Sequence, residues 1–230
     1  FVGRRAELEL FRAALSRDVP DFAVLHLYGP GGMGKTTLLR EFAYIAQEAG
    51  RSHILLDGRH LDATPTGFHN ALQQVLNPAS GQSLPDALAA VPDLVLFLDT
   101  YELLAPLDSW LRAEFLPQLP ERTIVVIAGR QPPPAAWRAG GWGELTRIIS
   151  LRNLRPDEST AYLRTQGVPE AQVVPVLGVT YGHPLALSLA ADLFSQNQAA
   201  SAFDLKQEPD IVRVLLERFV ADVPDTTVQQ

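Results

Sequence analysis

The chain has 230 residues, 47% of them hydrophobic and 20% charged, which excludes a disordered protein and leaves room for one sizeable core plus a helical appendage. The absence of cysteine excludes a disulfide scaffold, thiolate zinc sites and cysteine catalysis, and fits a reducing, cytoplasmic setting. A net charge of −7 argues against a broad phosphate-binding face, so no direct nucleic-acid contact is expected on this segment. No apolar run approaches the ~20 residues of a spanning helix, so no membrane association is expected. Of the 19 basic residues, only Lys35 and Lys206 are lysines.

The chain opens on Phe1 with its pattern already under way, and it is expected to be a piece of a longer protein. Apolar residues at Leu8, Phe11 and Leu15 give Arg5–Arg17 a helical spacing. Phe22–Tyr28 is a short apolar run of strand character, and a glycine cluster follows it. Thr36–Ala49 then reads as a helix that ends at Gly50. Ser52–Asp57 is a second strand. Residues 58–92 read as helix with loops, broken at Pro65, Pro78, Pro85 and Pro92. Leu94–Leu98 and Thr123–Ala128 are buried strands, and Leu145–Leu151 is a weaker fifth. Between the last two, Gln131–Gly143 is rich in proline and glycine, as a surface loop with one short helical turn would be.

After Leu151 the strands stop, and Pro156–Gln166, Glu170–Val179, Pro184–Gln196 and Pro209–Val220 read as helices. Strands alternating with helices predict an α/β fold: a mostly parallel five-stranded sheet flanked by helices, followed by a small helical domain. The expected boundaries are 1–151 for the sheet domain, 152–208 for a helical lid domain and 209–230 for the start of a truncated following domain.

Gly29-Pro30-Gly31-Gly32-Met33-Gly34-Lys35-Thr36 fits G-x4-G-K-[ST], the phosphate loop or Walker A motif, and it lies between a strand and a helix as that motif requires. Glycines let successive backbone N–H groups turn inward as an anion nest, and the following helix aims its positive end at the same point. Gly31, Gly32, Met33 and Gly34 would supply the nest. Lys35 would reach the β- and γ-phosphates, Thr36 would offer its hydroxyl to Mg²⁺, and Thr37 would hydrogen-bond the α-phosphate. The reading is a P-loop NTPase fold that binds ATP or ADP with Mg²⁺.

Such a site needs a carboxylate near the metal at the end of a neighbouring strand, and Asp99 closes the LVLFLD run. Many ATPases place a second acid directly after the first to orient the attacking water. Here Thr100 holds that place and Glu102 lies further on. Glu102 is read either as the water-orienting acid or as a solvated carboxylate at a helix start, and slow hydrolysis is predicted.

With these residues assembled, the chain resembles the signal-transduction ATPases with numerous domains. This group includes apoptosis-activating factors, plant resistance proteins and large bacterial transcription regulators such as the maltose activator. The resemblance rests on four ordered features: Phe1-Val2-Gly3-Arg4, the GPGGMGKTT loop, TIVVIAGR ending at Arg130, and Gly182-His183-Pro184-Leu185-Ala186-Leu187-Ser188. It implies that Phe1, Val2 and Arg4 lie over adenine and ribose, and that Arg130 detects the γ-phosphate. Pro184 would stack on adenine, with Ser188 one turn later on the same helix face. It also implies an ADP-locked resting state, an ATP-driven rearrangement and self-association through the longer protein. In that family a winged-helix domain follows, and Pro209–Val220 would be its first helix.

Three functional classes remain open from the sequence. They are this signalling switch, a steadily hydrolysing P-loop ATPase of the loader or remodeller type, and a nucleotide-binding interaction module with negligible hydrolysis. His183 and the other histidines are assigned no role, since none has metal-ligand spacing.

Overall fold

The computed structural model describes residues 1–17, 19–79, 81–91 and 93–196. They form two compact units. The sheet unit comprises residues 5–30 and 35–151, and the helical unit gathers Phe1–Arg4, Gly31–Gly34 and the described residues from Arg152 onward. The helix expected over Pro209–Val220 lies outside the described residues.

In the sheet unit, helix α1 (Arg5–Leu15) precedes β1 (Val24–Tyr28), and α2 (Lys35–Glu48) leads to β2 (His53–Asp57). Helices α3 (Pro65–Leu76) and α4 (Leu84–Ala89) lead to β3 (Val95–Asp99), with β4 (Ile124–Gly129) and β5 (Thr146–Ser150) following. All five expected strands form, each within a residue or two of its expected ends. They make a wholly parallel sheet in the order β2-β3-β4-β1-β5. Every residue of β3 and β4 is buried, as expected of near-continuous apolar runs in a parallel sheet covered on both faces. Edge strand β2 instead alternates, with Ile54 and Leu56 buried while His53 and Leu55 are exposed.

One sheet face is covered through Phe11 of α1 and Phe42 of α2, stacked at 4.2 Å, with Phe97 of β3 6.2 Å from Phe11. A second cluster includes Val24, Leu56, Phe68, Leu72, Leu96, Leu98, Ile127 and Trp137. Pro65 and Pro85, expected as breaks, instead stand in the first turns of α3 and α4, where a missing N–H costs nothing. Thr64 and Ser83 cap those helices by accepting the N–H of Gly67 (3.0 Å) and Asp86 (3.3 Å).

The crossover from β3 to β4 has no regular period in sequence. It folds as a series of short turns: 3-10 turns at Tyr101–Leu103 and Ala105–Leu107, a single α turn α5 (Asp108–Trp110), a π turn at Leu111–Phe115 and a 3-10 turn at Leu116–Gln118. The proline-rich segment after β4 carries a 3-10 turn at Ala135–Arg138 and the short helix α6 (Trp142–Leu145).

In the helical unit, α7 (Pro156–Thr165), α8 (Glu170–Thr180) and α9 (Pro184–Gln196) pack around Leu154, Leu163, Val173, Val176, Leu187 and Ala190. The amino-terminal segment is tied to α7 by Glu158. Its Oε1 accepts the Arg4 N–H and its Oε2 the Arg155 N–H, both at 2.9 Å. No helix among the described residues is long and apolar enough to cross a membrane.

Candidate nucleotide-binding site

The strand order sets the location. From β1 the chain crosses to the β2 edge, returns through β3 and β4 to lie beside β1, and then adds β5 on the other side. The order therefore reverses between β1 and β4, and open α/β sheets bind ligands outside the carboxyl ends of the strands at such a point. Asp99 ends β3, Gly129 ends β4 just before Arg130, and the glycine cluster leaves β1 after Tyr28. The Gly29 N–H donates to the Gly129 carbonyl at 3.3 Å, holding the two strand ends together.

In the sheet unit, Lys35 opens α2, and its Nζ donates to the carbonyls of Gly29 (2.6 Å) and Pro30 (2.8 Å). Burial holds this ammonium below its ordinary pKa, while Glu102 opposes the shift and Arg130 adds to it. Thr36 donates its hydroxyl to Asp99 Oδ2 at 2.7 Å, and Asp99 Oδ1 accepts the Thr100 N–H at 2.8 Å. Thr37 lies exposed in the same first turn. Thr36 and Asp99 are both hard oxygen donors and fit Mg²⁺, which is commonly held by one or two protein oxygens with phosphate and water completing the shell. No group of three or more His, Asp or Glu side chains placed to hold a metal exists among the described residues.

Glu102 and Arg130 meet directly. Thr100 takes a left-handed backbone (φ 53°) and the chain turns at Tyr101–Leu103, bringing Glu102 against the end of β4. Glu102 Oε1 pairs with Arg130 Nε at 3.0 Å, and Oε2 accepts the Arg130 N–H at 3.1 Å. Close by, Gly58 at the end of β2 allows a tight approach, since a Cβ there would lie 2.7 Å from the Thr100 carbonyl. Asp57, in register with Asp99, is held down to about 2 by its bonds from Arg59.

In the helical unit, Gly32 and Gly34 adopt φ values of +74° and +80°, the left-handed conformations that an anion nest uses and glycine tolerates. The Leu185 N–H at the start of α9 donates to the Gly32 carbonyl at 3.1 Å. Arg4 is buried, and its guanidinium donates to the Met33 carbonyl at 3.0 Å. Phe1 is exposed while Val2, Pro184 and Ser188 are half-buried, with Pro184 at the edge of van der Waals reach of a Cβ built on Gly34. The expected site residues thus fall into two sets. Lys35, Thr36, Thr37, Asp99, Glu102 and Arg130 belong to the sheet unit; Phe1, Val2, Arg4, Gly31, Gly32, Met33, Gly34, Pro184 and Ser188 belong to the helical unit.

Sequence reasoning missed three side chains. Glu158 carried a signal only as an acid in the first turn of α7, with nothing to indicate its bond to Arg4. His183, left without a role, is hydrogen-bonded to the Gly31 backbone, and its ring stands where a Cβ on Gly32 would be 2.8 Å away. Asp108 lies in a stretch without any pattern.

Phosphate loop, parallel sheet and strand-end carboxylate define a P-loop nucleoside-triphosphatase domain. The chain belongs to the AAA ATPase domain family, whose model matches residues 1–222. It is therefore a nucleotide-binding AAA-type ATPase domain. Its fold is similar to that of the FIGL-1 AAA domain solved in complex with ADP, with TM-score 0.57 and 17% identity, covering 98% of this chain and 84% of that one. It is also similar to Cdc6p from Pyrobaculum aerophilum, with TM-score 0.56 and 19% identity over 86% of this chain and 65% of that one. No curated protein matches the sequence.

Proposed function

We propose that this domain is the ATP/ADP-binding switch module of a multidomain signalling or transcription-regulating ATPase, of the signal-transduction class named above, and that it hydrolyses ATP slowly. The observation that carries this reading is the Glu102–Arg130 pair. Thr100 occupies the place beside Asp99 where a water-orienting acid would stand, and the nearest alternative acid has both carboxylate oxygens engaged by Arg130. A site arranged this way favours binding and discrimination over turnover.

In this reading the Gly31–Gly34 nest and Lys35 hold the phosphates, Thr37 reaches the α-phosphate, and Thr36 with Asp99 holds Mg²⁺, which would neutralise phosphate charge. Phe1, Val2 and Arg4 take the base and ribose together with Pro184 and Ser188. Arg130 leaves Glu102 for a γ-phosphate, which ADP lacks. This differential contact is the physical source of the shift between states, since a ligand moves an equilibrium only by its difference in affinity for the two forms. ATP then favours self-association in the protein that carries the domain.

The test is to follow ATP turnover and ADP retention, and to measure size and conformation with a non-hydrolysable ATP analogue. Tight ADP, slow turnover and analogue-dependent assembly support the switch. Rapid steady turnover abolished by Lys35→Ala would replace it with a loader- or remodeller-type ATPase. Unchanged size and conformation with the analogue would leave only a nucleotide-binding interaction module.

A further inference from the structure

The sheet unit that holds the Glu102–Arg130 pair also holds a buried polar cluster that the proposed function does not use. Asp108 is almost inaccessible to solvent. Its Oδ1 accepts the Tyr101 hydroxyl at 2.9 Å and the Trp137 indole N–H at 2.7 Å. Its Oδ2 accepts Arg112 Nε at 3.1 Å, with a second guanidinium contact at 3.0 Å. The Arg112 guanidinium in turn lies over the Trp137 ring, 5.7 Å from its centroid. Tyr101 and Trp137 both meet the ring of His26 edge-on, at 5.8 and 6.3 Å. Burial and Asp108 both push the Tyr101 hydroxyl up, so it remains a proton donor.

The connectivity gives this cluster its meaning. Tyr101 immediately precedes Glu102 in the turn after β3, and Trp137 lies in the segment that Arg130 opens after β4. Asp108 therefore ties these two segments together a second time, through one carboxylate oxygen, and the same segments carry the two partners of the ion pair. Buried polar groups that are fully satisfied fix one arrangement of the chain, because any alternative leaves a donor or acceptor without a partner in a low-dielectric interior. Arg112 pairs with the carboxylate and lies over the ring of one of its donors, closing the cluster. Among the described residues nothing hydrogen-bonds His26 at either nitrogen, and burial holds the ring neutral, so it packs against the two aromatic rings without a competing charge.

We infer that Asp108 is a positioning residue for γ-phosphate discrimination: through Tyr101 and Trp137 it fixes where Glu102 and Arg130 stand. Its carboxylate is engaged by Tyr101, Trp137 and Arg112, so it acts through other side chains. The inference rests on the reading of Arg130 as the γ-phosphate arginine. Without the clamp, the backbone segment that carries Arg130 must be ordered at the moment of binding, and part of the arginine's gain from the γ-phosphate is lost.

The experiment compares Asp108→Asn, Tyr101→Phe and Trp137→Phe with wild type in the intact protein. Affinities for ADP and for a non-hydrolysable ATP analogue are measured, and thermal unfolding is followed in parallel. Arg130→Ala serves as the reference. The expected result is ADP affinity within twofold of wild type in all three clamp variants. The analogue-to-ADP preference falls at least fivefold in Asp108→Asn, toward the value for Arg130→Ala, and by less in Tyr101→Phe. A purely structural role would lower the unfolding temperature and weaken both nucleotides together, which would overturn the inference. A normal preference in Asp108→Asn, where Arg130→Ala loses it, would also overturn the inference but leave the Arg130 reading standing. If Arg130→Ala keeps the wild-type preference, the γ-phosphate assignment fails and the clamp's role fails with it.

Discussion

Replacing Glu102 by Gln leaves an acceptor for the Arg130 N–H but removes the charge that holds its guanidinium. The pair is 3.0 Å long, with the arginine side chain 45% and the glutamate side chain 24% exposed. Exposed pairs are worth roughly 0.2–1 kcal/mol, and the partial cover on Glu102 puts this one near the upper end, at about 1 kcal/mol. A γ-phosphate recruiting Arg130 must first break that pair, whereas ADP need not. Glu102→Gln should therefore shift the preference for an ATP analogue over ADP by about fivefold toward ATP, since about 1.4 kcal/mol is tenfold. Glu102 also acts on Lys35, but that effect reaches both nucleotides and largely cancels in the ratio. Fluorescence titrations at fixed salt measure the ratio, and a double-mutant cycle with Arg130→Ala isolates the coupling. An unchanged ratio, or the same shift in the Arg130→Ala background, would refute the competition.

Three further outcomes are expected. Lys35→Ala removes a charge-assisted donor worth about 1.5–3 kcal/mol, so ADP should bind roughly 10- to 100-fold more weakly by calorimetry, and a loss under threefold would be inconsistent with the phosphate-loop role. Gly58→Ala drives a methyl to 2.7 Å from the Thr100 carbonyl, a backbone atom with little room to yield. Overpacking of this kind costs about 1–3 kcal/mol, visible as a lower urea midpoint; an unchanged midpoint would show that the strand end is slack. His26 is buried and held neutral, its pKa lowered from 6.5 to about 4 by burial. The unfolded chain then binds more protons than the folded one between those values, so this histidine lowers stability as pH falls from 6.5 toward 4, by roughly 3 kcal/mol in all. Urea titrations of wild type and His26→Phe at pH 7 and pH 5 check this, the variant being expected to lose much of the difference; equal pH dependence would place the loss elsewhere.

The sheet was legible because its evidence is local. Five short apolar runs bounded by turn residues fit a covered parallel sheet, and α9 begins at Pro184, as its proline indicated, and stays helical to the last described residue. The phosphate loop was legible for the same reason: its glycines are demanded by backbone angles within a few residues of Lys35. Pairings between distant residues were not. Glu102 and Arg130 are 28 residues apart, and Arg4 and Glu158 are 154 apart. Their meeting depends on strand register and helix placement, which leave no periodic trace. The segment around Asp108 was opaque because it mixes 3-10, α and π turns, so neither period 2 nor period 3.6 survives in it. Its aromatic and charged residues make sense only once Trp137 has folded back from beyond β4.

In the proposed role of Lys35 as a phosphate ligand, its two carbonyl contacts bear on how a nucleotide is recognised. Its ammonium already donates to Gly29 and Pro30, so a phosphate oxygen arriving there does not find an idle cation. Binding at that position is an exchange of acceptors, and its favourable free energy is the difference between an anionic oxygen and two amide carbonyls. In that role selectivity would follow from the trade itself: weakly charged or neutral ligands offer too little to displace the internal acceptors, while a polyphosphate does.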